Sequence, residues 1–560
     1  MDINKRTILW IVFAVSLVVL WNNWMVSTGK QSMFSPAPPA KVASSAKPAT
    51  GGVPVAAPQA GAVPGAVPGT AAAAAPAAID RTPIVITTDI FKAEIDPVGG
   101  VIKHLELLKF RDAQDTARNQ VLFNVADGNV FLAQTGLTGA SATGALPDHN
   151  TPFVALPGPR TLDGRNEVQV VLEGERGGVK LTKTFTFKRG DYTIGIRHDV
   201  ANLGTAPVTP SLYLQLLHDG NAPAGSSWFK PSYTGPTLYT PTDKYQKLQF
   251  SDIEKNKAEH ATKSDDGWTA ISQHFFVSAF IPTAKAPRQI YTKKEGPNLY
   301  SIGSVLPLGT VAPGTKISTE SRLYAGPQDE KLLEQTAPGL ELVKDYGKLT
   351  MIANPIWWTL EKIHSALGNW GWTIIAFTIL IKLLFFPLSA AGYRSMAKIK
   401  VVTPKMQAIR ERYKNDPAKM NQATMELYKA EKINPLGGCL PIVVQMPVFI
   451  ALFWVLQASV EMRGAPWIGW IHDLTAPDPL YILPVLYAIS MFITSKLNPQ
   501  PADPVQAKMM LFMPLAFSAM FIFFPAGLVL YWVVNNILSI AQQWVITKKF
   551  ETKPAVSLKK

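Results

Sequence analysis

One cysteine, Cys439, stands among 560 residues, which excludes an intrachain disulfide framework and any zinc site built on several thiolates. Packing must hold the folded parts together. Charge is scarce too: Asp, Glu, Lys and Arg make up 17% of the chain, against about 25% in ordinary soluble domains, and that argues against one uniform soluble enzyme. The signatures of common chemistries are missing. There is no GxxxxGK[ST] phosphate loop, no GxSxG elbow and no HExxH pair. His104, His198, His218, His260 and His274 show no metal-ligand spacing, so no metal, cofactor or catalytic residue is expected. The net charge of +14 raises the question of a nucleic-acid partner, which turns on where the basic residues sit. They flank apolar runs, so no direct nucleic-acid specificity is expected.

What is there changes character along the chain. Thr7 to Val26 follow Lys5 and Arg6 as an apolar run about long enough to cross a bilayer. Trp21, Trp24 and Met25 stand where signal peptidase needs small residues, so residues 1–26 read as a retained anchor rather than a cleaved signal. Residues 27–80 are dominated by Ala, Pro, Gly, Val and Ser. So few large apolar side chains cannot repay the entropy of ordering, and the segment reads as a disordered tether.

From 81 to 342 short alternating runs are punctuated by glycine and proline, the pattern of a large β-sandwich. Its clearest piece is a hairpin: Val179, Leu181, Phe185 and Phe187 share one face, Lys188-Arg189-Gly190-Asp191 turns, and Tyr192, Ile194 and Ile196 continue the alternation. Gln328 to Leu342 reads as a helix docked on the sandwich. Within 343–370, Asn354-Pro355 offers an N-cap followed by a first-turn proline. Ile356, Trp357, Leu360, Ile363 and Leu367 then recur at helical spacing, so an amphipathic helix on the bilayer surface is expected; the alternative is a helix packed on the β domain.

Five further apolar segments follow, at about 371–389, 437–459, 480–496, 509–525 and 526–546. The last two form one stretch of about 57 Å as a single helix, nearly twice the hydrocarbon thickness, so Pro525-Ala526-Gly527 is read as a reversal. The fold class expected is an α-helical polytopic membrane protein with six spans plus the exported β-sandwich. Loop charge orients it. Residues 391–435 carry ten Lys or Arg against four acids, and the tail 547–560 five against one, giving +6 and +4. Both belong in the cytoplasm. Residues 460–479 carry Arg463 against Glu461, Asp473 and Asp478, a net of −2, and belong outside with the β domain. The 391–435 segment turns at Lys414-Asn415-Asp416-Pro417 and reads as a helical hairpin. Its seam would set Met396, Ile399, Met406, Ile409 and Tyr413 against Met420, Leu427 and Tyr428, unless that stripe is a landing surface for partners.

Lys382 is the one charged residue well inside any of these five apolar segments. It lies roughly 17 Å from the outer face, too deep for a lysine stem to reach the cytoplasm comfortably, so a hydrated intramembrane pocket competes with simple snorkelling. Thr378, Gln445, Asn535, Asn536 and Ser539 could line that pocket, with Trp532 on the face of Asn536. Each amide could equally be a bond inside a packed bundle.

Several long segments resemble the YidC membrane protein insertase family. They are LGNWGW at 367–372, YKAEKINPLGGCLPIVVQMPVFIALFWVL at 428–456, WIHDL at 470–474 and FPAGLVLYWVVNNILSI at 524–540. In the exported part TDIFKAEIDPVGG at 88–100, LTKTFTFKRGDYTI at 181–194 and GWTAISQHFFVSAFIP at 267–282 resemble that family's periplasmic domain. The resemblance implies a five-helix insertase core at 371–546, a chaperone rather than an enzyme, working in the bacterial inner membrane without nucleotide hydrolysis. Nascent membrane proteins would be its substrates. It would act alone or with the Sec translocon, and meet ribosomes or targeting machinery through the hairpin and basic tail. It further implies a hydrophilic groove in which Lys382 takes the place of a cation that is often Arg, with Thr378, Gln445, Trp532, Asn535 and Asn536 as contact positions. Two other classes fit less well: a transporter would show repeats and midplane carboxylates, and a glycan-processing enzyme would need a paired-carboxylate cleft in the sandwich.

Overall fold

Alternation builds the first half of the molecule. Val179–Lys188 pairs antiparallel with Thr193–Asn202, placing Leu181 opposite Val200 and Phe185 opposite Ile196. Gly190 at φ +70° makes the turn that an L side chain would resist, and the Asp191 carboxylate accepts the Thr193 amide at 2.8 Å. A computed structural model describes residues 81–112, 115–126, 128–221, 233–344, 346, 349–414, 416–431, 440–498 and 504–551. The expected anchor and tether, Cys439 and most of the basic tail lie outside the described residues.

Among these, the strands form a ten-stranded sheet, a nine-stranded sheet and a small two-stranded ribbon. One apolar core lies between the two large sheets, with Ile86, Ile102, Leu105 and Leu214 from the first sheet meeting Leu181, Phe185, Ile194 and Leu323 from the second. Each such side chain contributes about 1.5–3 kcal/mol by leaving water. A short helix, α1 (Phe250–Glu254), and a second, α2 (Glu330–Thr336), complete this domain. In α2 the Asp329 carboxylate caps the Leu332 amide at 3.1 Å, and Leu333 enters the core. The segment expected as one helix from 328 to 342 is instead α2 and a 3-10 turn at Leu340–Val343, separated at Gly339, whose φ is +75°.

Lys183 lies on the same strand face as Leu181 and Phe185 and is 0% exposed. Its Nζ donates to the carbonyls of Gly99 and Thr135, both at 2.6 Å, and sits 4.9 Å from the Phe153 ring centroid. Burial pushes its pKa down from 10.5 to about 7, against a smaller opposing pull from Asp148. His198, bonded through Nε2 to Thr135 at 3.0 Å, is pushed down to about 3 by the same burial and by Lys183. Because the unfolded chain binds more protons at Lys183 between about pH 7 and 10.5, stability should rise with pH across that window. The limiting slope is about 1.4 kcal/mol per pH unit. Amide exchange of strand 179–188 in the intact protein, corrected for intrinsic rates, should therefore slow between about pH 7.5 and about pH 9. A flat response would mean that Lys183 keeps its proton in the folded state throughout this window, as it does in the unfolded chain.

The second half is helical. Helix α3 (Thr350–Leu367) starts one turn before the expected Asn354 cap, leaving Pro355 inside it. The extra turn is held by burial, since Ala353 is fully enclosed and Leu349 and Ile352 pack on the same cluster. Helix α4 (Trp370–Leu384) begins where the Asn369 side chain accepts the Trp372 amide at 3.2 Å. After Phe385 the axis turns by 67° into α5 (Phe386–Arg412). Pro387 in the first turn of α5 lacks the N–H that would have continued α4, so the apolar run expected as one segment, 371–389, is broken. The first arm of the expected hairpin is the far part of α5. Its partner, α6 (Pro417–Ala430), meets it through Tyr428 to Met406 Sδ at 3.5 Å and Lys405 to Glu431 at 2.6 Å.

Four helices remain, of which the first, second and fourth join α3 and α4 around one apolar cluster, while the third reaches it through Phe521 in its 3-10 continuation. They are α7 (Leu440–Ala458), α8 (Ile482–Leu497), α9 (Pro504–Ser518), which continues as a 3-10 segment to Phe523, and α10 (Ala526–Glu551). The cluster joins Trp357, Leu360, Ile374, Phe377, Leu452, Val455, Tyr487, Val529 and Tyr531. Among the described residues one helix stretch, Ala526–Lys548, is long and apolar enough to cross a bilayer unbroken, and α4 with α5 passes as a bent pair. Helix length alone thus does not give six spans.

Candidate functional site

Near the end of α4, Lys382 turns inward and is 6% exposed. Its Nζ donates to Ser539 Oγ on α10 at 2.7 Å. Ser539 also donates to the Asn535 carbonyl one turn earlier at 2.7 Å, and it hydrogen-bonds Tyr393 of α5. No Asp or Glu occurs in α4, α7, α8, α9 or residues 526–548 of α10. An ammonium has three donors, and Ser539 is the one side-chain acceptor the described residues bring to it.

Neighbouring positions on α10 reach different helices. Gln445 of α7 donates to Asn535 Oδ1 at 2.9 Å and also bonds Tyr531. Asn536 donates to Ser490 of α8 at 3.1 Å. These bonds make a polar seam through otherwise apolar helices. Trp532 lies between, its ring 4.5 Å from that of Phe449 and 6.0 Å from those of Tyr487 and Phe521 by centroid. Its indole N–H is enclosed and finds no partner among the described residues. Thr378 stands apart: its hydroxyl donates to Ile374 O in its own helix at 2.6 Å and makes no bond in the seam.

The structure therefore brings Lys382, Gln445, Asn535 and Asn536 into bonds among α4, α7, α8 and α10, and packs Trp532 beside them, while Thr378 serves its own backbone. Sequence reasoning missed Ser490, Tyr393 and Tyr531. Helical spacing from Tyr487 would have put Ser490 on a buried face, but nothing in spacing names Asn536 as its partner. Away from this seam, the nine-stranded sheet carries an open trough of about 690 Å³ lined by Thr186, Gly195, Arg322, Tyr324 and Leu332 among others. Among the described residues no group of three or more His, Cys, Asp or Glu is placed to hold a metal ion.

Residues 362–553 match the family model of the 60Kd inner membrane protein, and residues 83–359 match that of the YidC periplasmic domain. A protein named Membrane protein insertase YidC, from Herminiimonas arsenicoxydans, is 57% identical over 98% of this chain and 99% of its own length. Another of that name, from Janthinobacterium sp. (strain Marseille), is 55% identical over 98% of this chain and 99% of its own. Among solved structures, one described as an active YidC insertase crystal structure with the first transmembrane domain resolved is 19% identical. It covers 82% of this chain and 91% of its own, with a TM-score of 0.39.

Proposed function

The chain belongs to the YidC family of membrane protein insertases, and from that premise we propose that it inserts nascent proteins into the bacterial inner membrane through a hydrophilic groove centred on Lys382. The family supplies the inner-membrane setting, the periplasmic domain and the insertase activity. The groove reading rests on one observation: among the described residues a nearly enclosed ammonium has a single hydroxyl partner, and the apolar helices around it carry no carboxylate. Left to hydrocarbon, such a charge costs about 2.5–3.5 kcal/mol on insertion scales. Water, or the polar flank of a client, supplies the acceptors that Ser539 does not. The polar flank then leaves bulk water in steps, while the client's apolar segment drives the process by entering lipid at about 25 cal/mol per Å². No bond is made or broken in this account.

The proposed arrangement has six spans: the anchor at 1–26 and five in 371–546, with both termini and 391–435 cytoplasmic. The outward faces of the helices support a lipid setting. On α8, Val485, Leu486, Ile489 and Phe492 are exposed, and on α9 so are Met509, Phe512, Met513 and Phe517, a continuous apolar surface that water would penalise. Helix α3 lies at the outer interface, with Ala353, Ile356, Trp357 and Leu360 turned to the bundle and Trp358 outward. The hairpin and basic tail receive chains from ribosomes or their targeting machinery, and the Sec translocon is a second partner.

The function is tested by depleting the protein and following insertion of a small single-span client. Insertion should fall and return with the intact chain; unchanged insertion would overturn the reading. Topology has its own check. With Cys439 replaced, cysteines at Ser251 and Lys419 should label from opposite sides of the membrane, and same-side labelling would contradict the charge-based orientation.

A further inference from the structure

On three helices each polar residue of the seam has an aromatic ring about one turn away, always on the same side. On α7 Phe449 follows Gln445 by four residues, on α8 Tyr487 precedes Ser490 by three, and on α10 Trp532 precedes Asn535 by three. Helix α7 runs into the 459–481 loop and α8 begins after it. The start of α10 is held to the same loop, where the carbonyls of Leu474 and Ala476 accept the Gly527 and Ala526 amides at 2.9 and 2.7 Å. At 1.5 Å per residue, each ring therefore stands roughly 4.5–6 Å nearer the loop than its polar neighbour.

The rings meet across the helices. Trp532 lies 4.5 Å from Phe449 and 6.0 Å from Tyr487 by centroid. Phe521, from the 3-10 segment after α9, closes the fourth side at 4.2 Å from Tyr487 and 6.0 Å from Trp532. Tyr487 and Phe521 are both buried. A second row lies one turn nearer the loop, where Phe524 sits 5.4 Å from Phe521 and 6.2 Å from Phe453. Polar seam and aromatic layer are thus stacked along the helices, with the amides and Lys382 on one side of the rings and the loop on the other.

We propose that this aromatic layer, with Trp532 at its centre, is a seal that ends the water-filled groove on its periplasmic side and keeps the membrane tight to protons and small ions. It deepens the groove reading and rests on it. An ion entering the layer would exchange its hydration shell for ring faces, and a proton needs an unbroken file of water; an apolar constriction stops both by excluding water. Water that reaches Lys382 from the cytoplasm leaves only the remaining thickness to hold the membrane potential, and the rings occupy that thickness.

The test reconstitutes the full chain, carrying Cys439→Ser, into vesicles of phosphatidylethanolamine and phosphatidylglycerol that hold a pH-sensitive dye, and follows proton entry under a potassium diffusion potential. The parent protein should admit protons no faster than protein-free vesicles do. Trp532→Ser with Phe521→Ser should raise the rate several-fold, whereas Trp532→Phe, which keeps a ring, and Lys382→Ala, which leaves every ring in place, should stay tight. Should the double variant not accumulate, Tyr487→Ser opens the layer from a different helix. A cysteine at Asn536 gives the second readout: an impermeant maleimide should reach it from the cytoplasmic side alone in the parent, and from both sides once the rings are removed. No labelling of the parent from either side fails the groove reading and the seal with it. Cytoplasmic labelling of the parent, with a ring-deleted variant that stays tight and unlabelled from the periplasm, overturns the seal alone. An equal leak in Trp532→Phe or Lys382→Ala would assign the leakage to a disturbed bundle and overturn it as well.

Discussion

Lys382→Glu is expected to lower insertion of a client with an acidic exported flank by at least tenfold, and of a neutral-flanked version of that client far less. The charge acts where water is scarce. At an effective dielectric of about 20, unit charges about 4 Å apart interact by about 4 kcal/mol, and about 1.4 kcal/mol already changes a rate tenfold. Reversing the sign turns that attraction into repulsion, so Lys382→Ala should fall between wild type and Lys382→Glu for acidic clients. Lys382→Arg should keep most insertion, since the charge remains at the same place. It also asks less of geometry than a bidentate contact would, because Ser539 presents a single oxygen to Lys382. Equal loss of acidic and neutral clients in Lys382→Glu would point to a damaged fold instead, which membrane abundance and thermal stability would report.

Deleting residues 404–430 should abolish insertion while leaving the helical cluster folded. Helix α6 has no buried side chain among its described residues, and it is joined to α5 by the Tyr428–Met406 contact and the Lys405–Glu431 pair. A surface ion pair of that kind contributes about 0–1 kcal/mol. Ser389, Ala390, Gly392 and Val402, the buried positions of α5, all precede the deletion and stay in place. What is lost is a basic, loosely held surface with Met425 and Tyr428 on it, suited to receiving chains rather than to stabilising the bundle. The check is insertion of the small client together with thermal unfolding of the detergent-solubilised protein. Normal insertion would remove the hairpin from the mechanism.

The strand hairpin at 179–202 was legible because alternation fixes which side chains face the core, and the structure gives that pairing residue by residue. The same rule places Lys183 inward, yet nothing in a sequence says that two carbonyls, from Gly99 and Thr135, are waiting there. Lys382 was legible because a charge in an apolar run is costly and therefore conspicuous. Ser539 and Gln445 share that legibility, whereas Ser490 and Tyr393 became partners only through helix packing. The bend after α4 was carried by Pro387, but hydropathy runs smoothly across it and hid the break. The early start of α3 escaped because Asn354-Pro355 is a good local cap, overridden by burial of Ala353. Least legible was the 459–481 loop. Its loop charge pointed outward, but the bond from Arg463 to Gln120 spans most of the β domain in sequence and follows from no local pattern.

The central claim is that water reaches the polar seam around Lys382. With Cys439→Ser and a single cysteine at Asn536, a membrane-impermeant maleimide added from the cytoplasmic side should label the protein in native membranes. Client bound in the groove should slow the reaction. Measurable labelling at position 536, slower than that of a cysteine at exposed Lys419 because Asn536 is buried, is the result predicted here. No labelling at position 536 under conditions that label 419 fully, together with normal insertion by Lys382→Ala, would contradict the account and leave Lys382 a structural lysine bonded to Ser539.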